Sequence, residues 1–194
     1  ASSACEMVAE VLQYIGDDGI KIKPAEADAM YAGIVIDTNN FMNQAGVRTF
    51  EAAAFLRRNG ADVVRVRKLF RDRLEDYRAR AEAIQKAEIY HGAFAISVCP
   101  SEGLESPTVV GAQAANELLD IVGIKASFIL TQMGDTIYFS ARSIDEINVQ
   151  IIMERLGGGG HRTIAGAQLK GATIDEAREK LKDLITDMME KGEI

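Results

Sequence analysis

The chain has 194 residues, 47% of them apolar, with no Trp and only three Pro. That length suits one or two domains with a real core, and a formal net charge of −7 excludes a broad nucleic-acid-binding surface. The charge is uneven: residues 1–87 hold 13 basic and 13 acidic side chains, residues 88–194 hold 9 and 16. Cys5 and Cys99 stand far apart and outside any metal-ligand spacing, which fits free thiols in a reducing cytoplasm. Neither a signal peptide nor a membrane span is read, so no membrane contact is expected of these residues. Ala1 leads at once into a helix, and the chain is expected to be a fragment of a longer protein.

Ser3 and Glu6 form a capping box that opens a helix to about Tyr14, ended by Gly16-Asp17-Asp18-Gly19. Pro24 starts a second helix, where its missing N–H is harmless; it runs into the apolar stretch Ile34-Val35-Ile36 and breaks at Asp37-Thr38-Asn39-Asn40-Phe41. Thr49 is expected to cap a third helix closed by Gly60, and Asp62 a short fourth to about Phe70. Nine basic residues lie between Arg57 and Arg80, read as the solvated face of a connecting helix. Residues 72–87 read as a polar helix with opposed charges such as Asp76 and Arg80 at i,i+4. Beyond it the period changes. Tyr90 to Val98 reads as a strand containing a structural His91, and Ser106-Pro107 starts a helix. Ala126–Leu130 and Thr136–Ser140 read as strands around a hairpin turn at Met133-Gly134-Asp135. Ile147–Leu156 is helical, Ala165–Leu169 a short strand, and Thr173–Glu190 an amphipathic helix with Ile174, Ala177, Leu181, Leu184, Ile185 and Met188 on one stripe.

These elements predict an α/β fold in three parts. Residues 1–70 are a helical, incomplete-looking segment, 71–87 a linker helix, and 88–194 a complete α/β unit with a mixed sheet.

The run Gly157-Gly158-Gly159-Gly160-His161 carries the strongest chemical signal. Bare backbone lets an anion approach N–H groups closely; the alternative is a flexible linker or a long helix C-cap. Small residues follow at Ala165, Gly166 and Ala167. Arg142, between Ser140 and Ser143 at a strand end, offers a fork that grips phosphate bidentately, or else is an exposed strand-end cation. His161 can donate to a phosphate or a metal-bound oxygen. Asp37, at the end of an apolar run, can hold a hard cation or simply cap a turn. No Ser or Cys partner makes a triad with either histidine, and neither a Walker A motif nor a strand-linked GxGxxG is present.

Taken together, Ser2-Ser3-Ala4-Cys5-Glu6, Gly33-Ile34-Val35-Ile36-Asp37-Thr38-Asn39-Asn40-Phe41, Arg48-Thr49-Phe50-Glu51-Ala52-Ala53, Ser140-Ala141-Arg142-Ser143 and Asn148-Val149-Gln150 through Gly157–His161 resemble the DHH phosphoesterase superfamily with its DHH-associated C-terminal domain. The similarity is closer still to the GdpP-type cyclic-di-AMP phosphodiesterases. The resemblance implies that residues 1–70 are the C-terminal part of a catalytic domain and 88–194 the substrate-binding domain, with the polar helix as a hinge.

It further implies a two-manganese site, with Asp37 its one metal ligand in this chain, and hydrolysis of cyclic di-AMP to pApA by the intact parent. Arg142, Ser143, Gly157, Gly158, Gly159, Gly160 and His161 would hold a cyclic or linear adenine dinucleotide. No catalytic residue is assigned, and the chain alone is expected to be inactive. A homodimer is compatible with the resemblance, as is a membrane-anchored parent with this part in the cytoplasm. Two alternatives stand: an oligoribonuclease or 3′-phosphoadenosine-phosphate phosphatase of the same superfamily, and a non-catalytic nucleotide- or tRNA-binding module such as the related domain of alanyl-tRNA synthetase.

Overall fold

Alanines at the crossings let four helices meet closely in residues 1–71, the first of two units; the second is residues 72–194. The computed structural model describes residues 1–15, 21–42, 44–144 and 146–194. The first unit holds α1 (Ala4–Ile15), α2 (Pro24–Asp37), α3 (Val47–Arg58) and α4 (Val63–Leu69). Ala9, Ala27, Ile34, Ala52, Leu56 and Ala61 form its core. Gly33 lets α1 and α2 approach closely there, since a Cβ would overlap the present position of the Cys5 sulfur. The turn expected at Gly16-Asp17-Asp18-Gly19 lies outside the described residues.

The Ser-Ser-Ala-Cys-Glu block ties α1 to α3. Buried Glu6 accepts hydrogen bonds from the Ser2 amide at 2.9 Å, the Ser2 hydroxyl and the Thr49 hydroxyl at 2.9 Å, while its own amide donates to Ser3 Oγ at 3.0 Å. Burial raises the Glu6 pKa, but the bonds from the Ser2 side chain and backbone and from Thr49 together hold it below the ordinary value. Thr49 sits inside α3 rather than at its cap, and its hydroxyl accepts from the Gly46 amide at 3.1 Å. Asp62 caps α4 as expected, accepting from the Arg65 amide at 2.8 Å.

The second unit comprises α5 (Leu74–Gln85), β1 (Glu88–Tyr90), β2 (Phe94–Cys99), α6 (Pro107–Leu118), β3 (Ala126–Met133), β4 (Thr136–Ser143), α7 (Val149–Arg155), β5 (Gly159–Gly160), β6 (Ile164–Lys170) and α8 (Ile174–Glu190). The strands form one sheet in the order β1-β2-β3-β4-β6-β5, parallel between β2 and β3 and antiparallel elsewhere. One face, with Phe128, Leu130, Ile137 and Phe139, packs on α7 and α8 through residues such as Ile152, Met153, Leu181 and Ile185. The other packs Ala95, Cys99 and Ile129 against α5 and α6. Small residues bring those helices close: Ser97 donates to the Ala83 carbonyl at 2.5 Å, and Ser127 to the Ala115 carbonyl at 2.6 Å.

Three expectations need correction. Residues 71–87 are not a free linker: α5 buries Ala79 and Ala83 in the core of the second unit. Arg80, read as part of a solvated face and paired with Asp76, is buried; it binds Asp72 and Glu117 instead, and donates to Gln113 at 3.0 Å. The segment Tyr90–Val98 is not one strand but a β-hairpin. His91 and Gly92 take φ values of 46° and 73°, as a tight primed turn requires, and the His91 ring lies 3.1 Å from the Thr186 hydroxyl.

The four glycines are mostly structural. Gly157, with φ 81°, ends α7 in a Schellman motif: its amide donates to the Glu154 carbonyl at 3.0 Å, and the Gly158 amide to the Met153 carbonyl at 2.9 Å. Gly158 and Gly160 lie against β6. A Cβ on Gly158 would overlap the Gly166 carbonyl and Ala167, and one on Gly160 would sit 2.5 Å from the Ala165 Cα. Gly159 is different, since a Cβ there meets nothing within 4 Å and its φ is not in the left-handed region. The segment is thus a capped helix end followed by an edge strand, not the open loop its composition suggests.

Two outcomes follow. Gly158→Ala and Gly160→Ala should each destabilise the second unit by about 1–3 kcal/mol, while Gly159→Ala should stay within about 0.5 kcal/mol, as read by urea denaturation. For Glu6, a folded-state pKa held below the unfolded value means stability that is present above the unfolded value and lost as pH falls through the folded one. Thermal melts should show Glu6→Gln less stable at neutral pH, with a shallower loss of stability on acidification below about pH 4.3; an acid limb unchanged in the variant would contradict this.

Candidate functional site

Strand alternation sorts the residues of β4. Ile137, Phe139, Ala141 and Ser143 turn to the α7/α8 core, and Tyr138, Ser140 and Arg142 to the opposite face. Their cross-strand partners on β6 are Gln168, Gly166 and Ile164. A groove of about 400 Å³ opens on that face. Thr108 from the first turn of α6 lines one side, and Gly157 and Gly158 the other. Tyr138, Ser140, Gly166 and Gln168 belong to its floor. The side chains of Thr108, Tyr138, Ser140 and Gln168 have no hydrogen-bond partner among the described residues. The sequence reading offered Ser140 only as a hydroxyl flanking Arg142 and did not name Thr108, Tyr138 or Gln168 as site residues; for Tyr138 the shared parity with Arg142 along β4 was the available signal.

Arg142 is half-buried on the same face. One guanidinium nitrogen donates to the neighbouring Ala141 carbonyl at 2.9 Å, and its buried Nε–H has no partner. Among the described residues no carboxylate pairs with it, and burial pulls its pKa below the ordinary arginine value. A desolvated cation with an unused donor is costly unless an anion meets it.

Ser143 does not join Arg142. It faces the other side of the sheet, where its hydroxyl donates to the Ile147 carbonyl at 2.6 Å and its amide to the Thr163 carbonyl at 3.0 Å. That geometry anchors the turn leading into α7. His161 is exposed at the tip of the β5–β6 hairpin, its amide donating to the Ile164 carbonyl at 2.7 Å; its ring has no partner among the described residues.

Asp37 lies in the first unit, exposed at the last position of α2. Helix α2 runs through Ile34-Val35-Ile36 to Asp37, as the sequence places it, and only Ile34 of the three is buried. Thr38 closes the helix: its hydroxyl donates to the Ile34 carbonyl at 2.6 Å and accepts from the Phe41 amide at 2.9 Å. Asn39, Asn40 and Phe41 follow with φ of 45°, 58° and 65°. Three successive left-handed residues without glycine store strain that tends to collect at functional sites. Among the described residues no three His, Cys, Asp or Glu side chains gather to hold a metal ion.

Comparison with known proteins gives these features a frame. Residues 93–187 match the DHHA1 domain model. The chain is 44% identical over 193 residues to the cyclic-di-AMP phosphodiesterase GdpP of Geobacillus thermodenitrificans, covering 99% of this chain and 29% of that protein. It is 42% identical to the cyclic-di-AMP phosphodiesterase PdeA of Listeria monocytogenes, again covering 29% of the relative. The chain therefore spans under a third of the length of these relatives. A solved structure of an exopolyphosphatase-related protein from Bacteroides fragilis superposes with a TM-score of 0.82 at 20% identity, over 97% of this chain and 57% of that one. At that identity the likeness is one of fold. Residues 93–187 thus match the DHHA1 domain, in a chain that over its whole length is similar to part of the cyclic-di-AMP phosphodiesterases.

Proposed function

We propose that this chain is the substrate-recognition part of a phosphodiesterase that opens cyclic di-AMP to pApA, with Arg142 and the adjoining groove holding the nucleotide. The observation that carries this reading is the Arg142 Nε–H, buried and without a partner on the face where the groove opens. A phosphate oxygen there would pair the desolvated cation and satisfy the donor together. Gly159 adds a stretch of backbone whose bareness packing does not require, so an anion can lie close to it. His161 stands one residue beyond β5 and can donate to the same phosphate. The relatives named as cyclic-di-AMP phosphodiesterases support the choice of substrate.

The described residues do not complete a metal site. Asp37 offers one carboxylate, and among the described residues it belongs to no group of three potential ligands, so the reading gives it the role of one ligand of a manganese pair whose other ligands lie elsewhere. Manganese would supply the charge neutralisation and the activated water that phosphate-ester hydrolysis needs; this chain supplies grip and orientation. Helix α1 also exposes Met7, Val8, Val11 and Tyr14 at helical spacing, an apolar stripe that suits packing against further parts of a catalytic domain.

Calorimetric titration of residues 1–194 with pApA tests recognition. Arg142→Lys keeps the charge and loses the fork, and should weaken binding by ~1–3 kcal/mol. Gly159→Val should block binding while the melting temperature holds. Unchanged affinity in both variants would place the substrate elsewhere. With manganese, residues 1–194 alone should not convert cyclic di-AMP to pApA. In a longer homologue the variant equivalent to Asp37→Ala should lose manganese affinity with little change in fold; full metal affinity and rate there would leave Asp37 as a turn residue only.

A further inference from the structure

We infer that Tyr138 and Gln168 form the base-reading end of the groove, and that the base they select is adenine, read along its N6/N7 edge. The inference rests on the recognition role proposed above and adds which residues set base preference. The two side chains are direct cross-strand partners on β4 and β6 and share the face that carries Arg142. Beside them the floor is nearly bare: Ser140 stands opposite Gly166, and a Cβ on Gly166 would meet the Phe139 carbonyl at 2.8 Å. A flat surface flanked by an aromatic ring and an amide suits a planar base better than a sugar or an alkyl chain.

The spacing agrees. Tyr138 and Arg142 are four residues apart on one strand, about 13 Å, a span a nucleotide can bridge with its phosphate at the guanidinium and its base at the ring. The groove, about 400 Å³, falls in the range of small-ligand sites. Neither the Tyr138 hydroxyl nor the Gln168 amide is engaged by another described residue, so both are free to serve a ligand. A carboxamide offers one donor and one acceptor side by side. Adenine answers with N7 as acceptor and N6–H as donor, whereas guanine presents two acceptors, O6 and N7, on the same edge. One of those acceptors would face the Gln168 carbonyl oxygen. The tyrosine ring stacks on either purine and so adds affinity without choice.

The test uses residues 1–194 and three probes, AMP, GMP and ribose 5-phosphate, titrated by calorimetry against wild type, Gln168→Leu and Tyr138→Leu. Gln168 is exposed and Tyr138 only partly buried, so both variants should fold, checked by their thermal melts. Wild type should prefer AMP to GMP by about 10-fold or more. Gln168→Leu should bring that ratio near one by weakening AMP alone. Tyr138→Leu should weaken both nucleotides by roughly 5-fold or more and keep the ratio. Ribose 5-phosphate should bind all three proteins alike, because it engages only the phosphate end. An AMP/GMP ratio unchanged in Gln168→Leu, with nucleotide binding otherwise intact, overturns the base-reading assignment and leaves the recognition role standing. Wild type that binds none of the three probes overturns both.

Discussion

The backbone of Gly158 and Gly160 lies so close to β6 that no Cβ fits between them, and much of the second unit follows from that contact. It fixes the end of α7, because the chain must leave the helix through Gly157 in a left-handed turn to reach the sheet. It adds β5 as the last strand beyond β6. It also keeps the wall of the groove thin, so that Gly157 and Gly158 border a cleft that any side chain there would narrow. Of the four, Gly159 alone is free of these demands, so packing does not account for its bare backbone.

A second constraint acts across the sheet. The core formed with α7 and α8 takes every odd residue of β4 from Ile137 to Ser143, and this leaves Tyr138, Ser140 and Arg142 no choice of face. Helix α6 packs mainly on β3 and less on β4, so part of that face stays open. Arg142 is half-buried with its Nε–H out of solvent, and no carboxylate among the described residues meets it. Arg80 makes the contrast: it is buried more fully, but Asp72, Glu117 and Gln113 surround it. One guanidinium holds α5 to α6, the other is left with an unsatisfied donor on the face where the groove opens.

How legible this was depended on whether the signal was local. The stripe of α8, the Pro107 start of α6, the Asp62 cap and the Gly134 hairpin all stand in the structure close to where the sequence places them, because caps, turns and helical periodicity are set by near neighbours. The β1–β2 hairpin escaped because its turn is His91-Gly92, not one of the common Asn-Gly or Asp-Gly pairs. Arg80 was misread because its partners lie eight residues back and on another helix. The glycine run misled for a physical reason: composition cannot distinguish glycines bare for a ligand from glycines bare for a neighbouring strand. Of the candidate residues, Arg142 shares a face with the groove and Gly157 and Gly158 line it, whereas Ser143 lies on the far side of the sheet.

The most direct measurement is nitrogen-15 NMR of the arginine Nε–H signals in residues 1–194 during titration with pApA. A buried, unpartnered donor that receives a phosphate should show the largest shift of any arginine Nε–H, with slowed solvent exchange at saturation, accompanied by shifts at the amides of Gly157 to Gly160. If pApA binds while the Arg142 Nε–H signal stays in place and other residues move instead, the nucleotide does not sit on this face of the sheet.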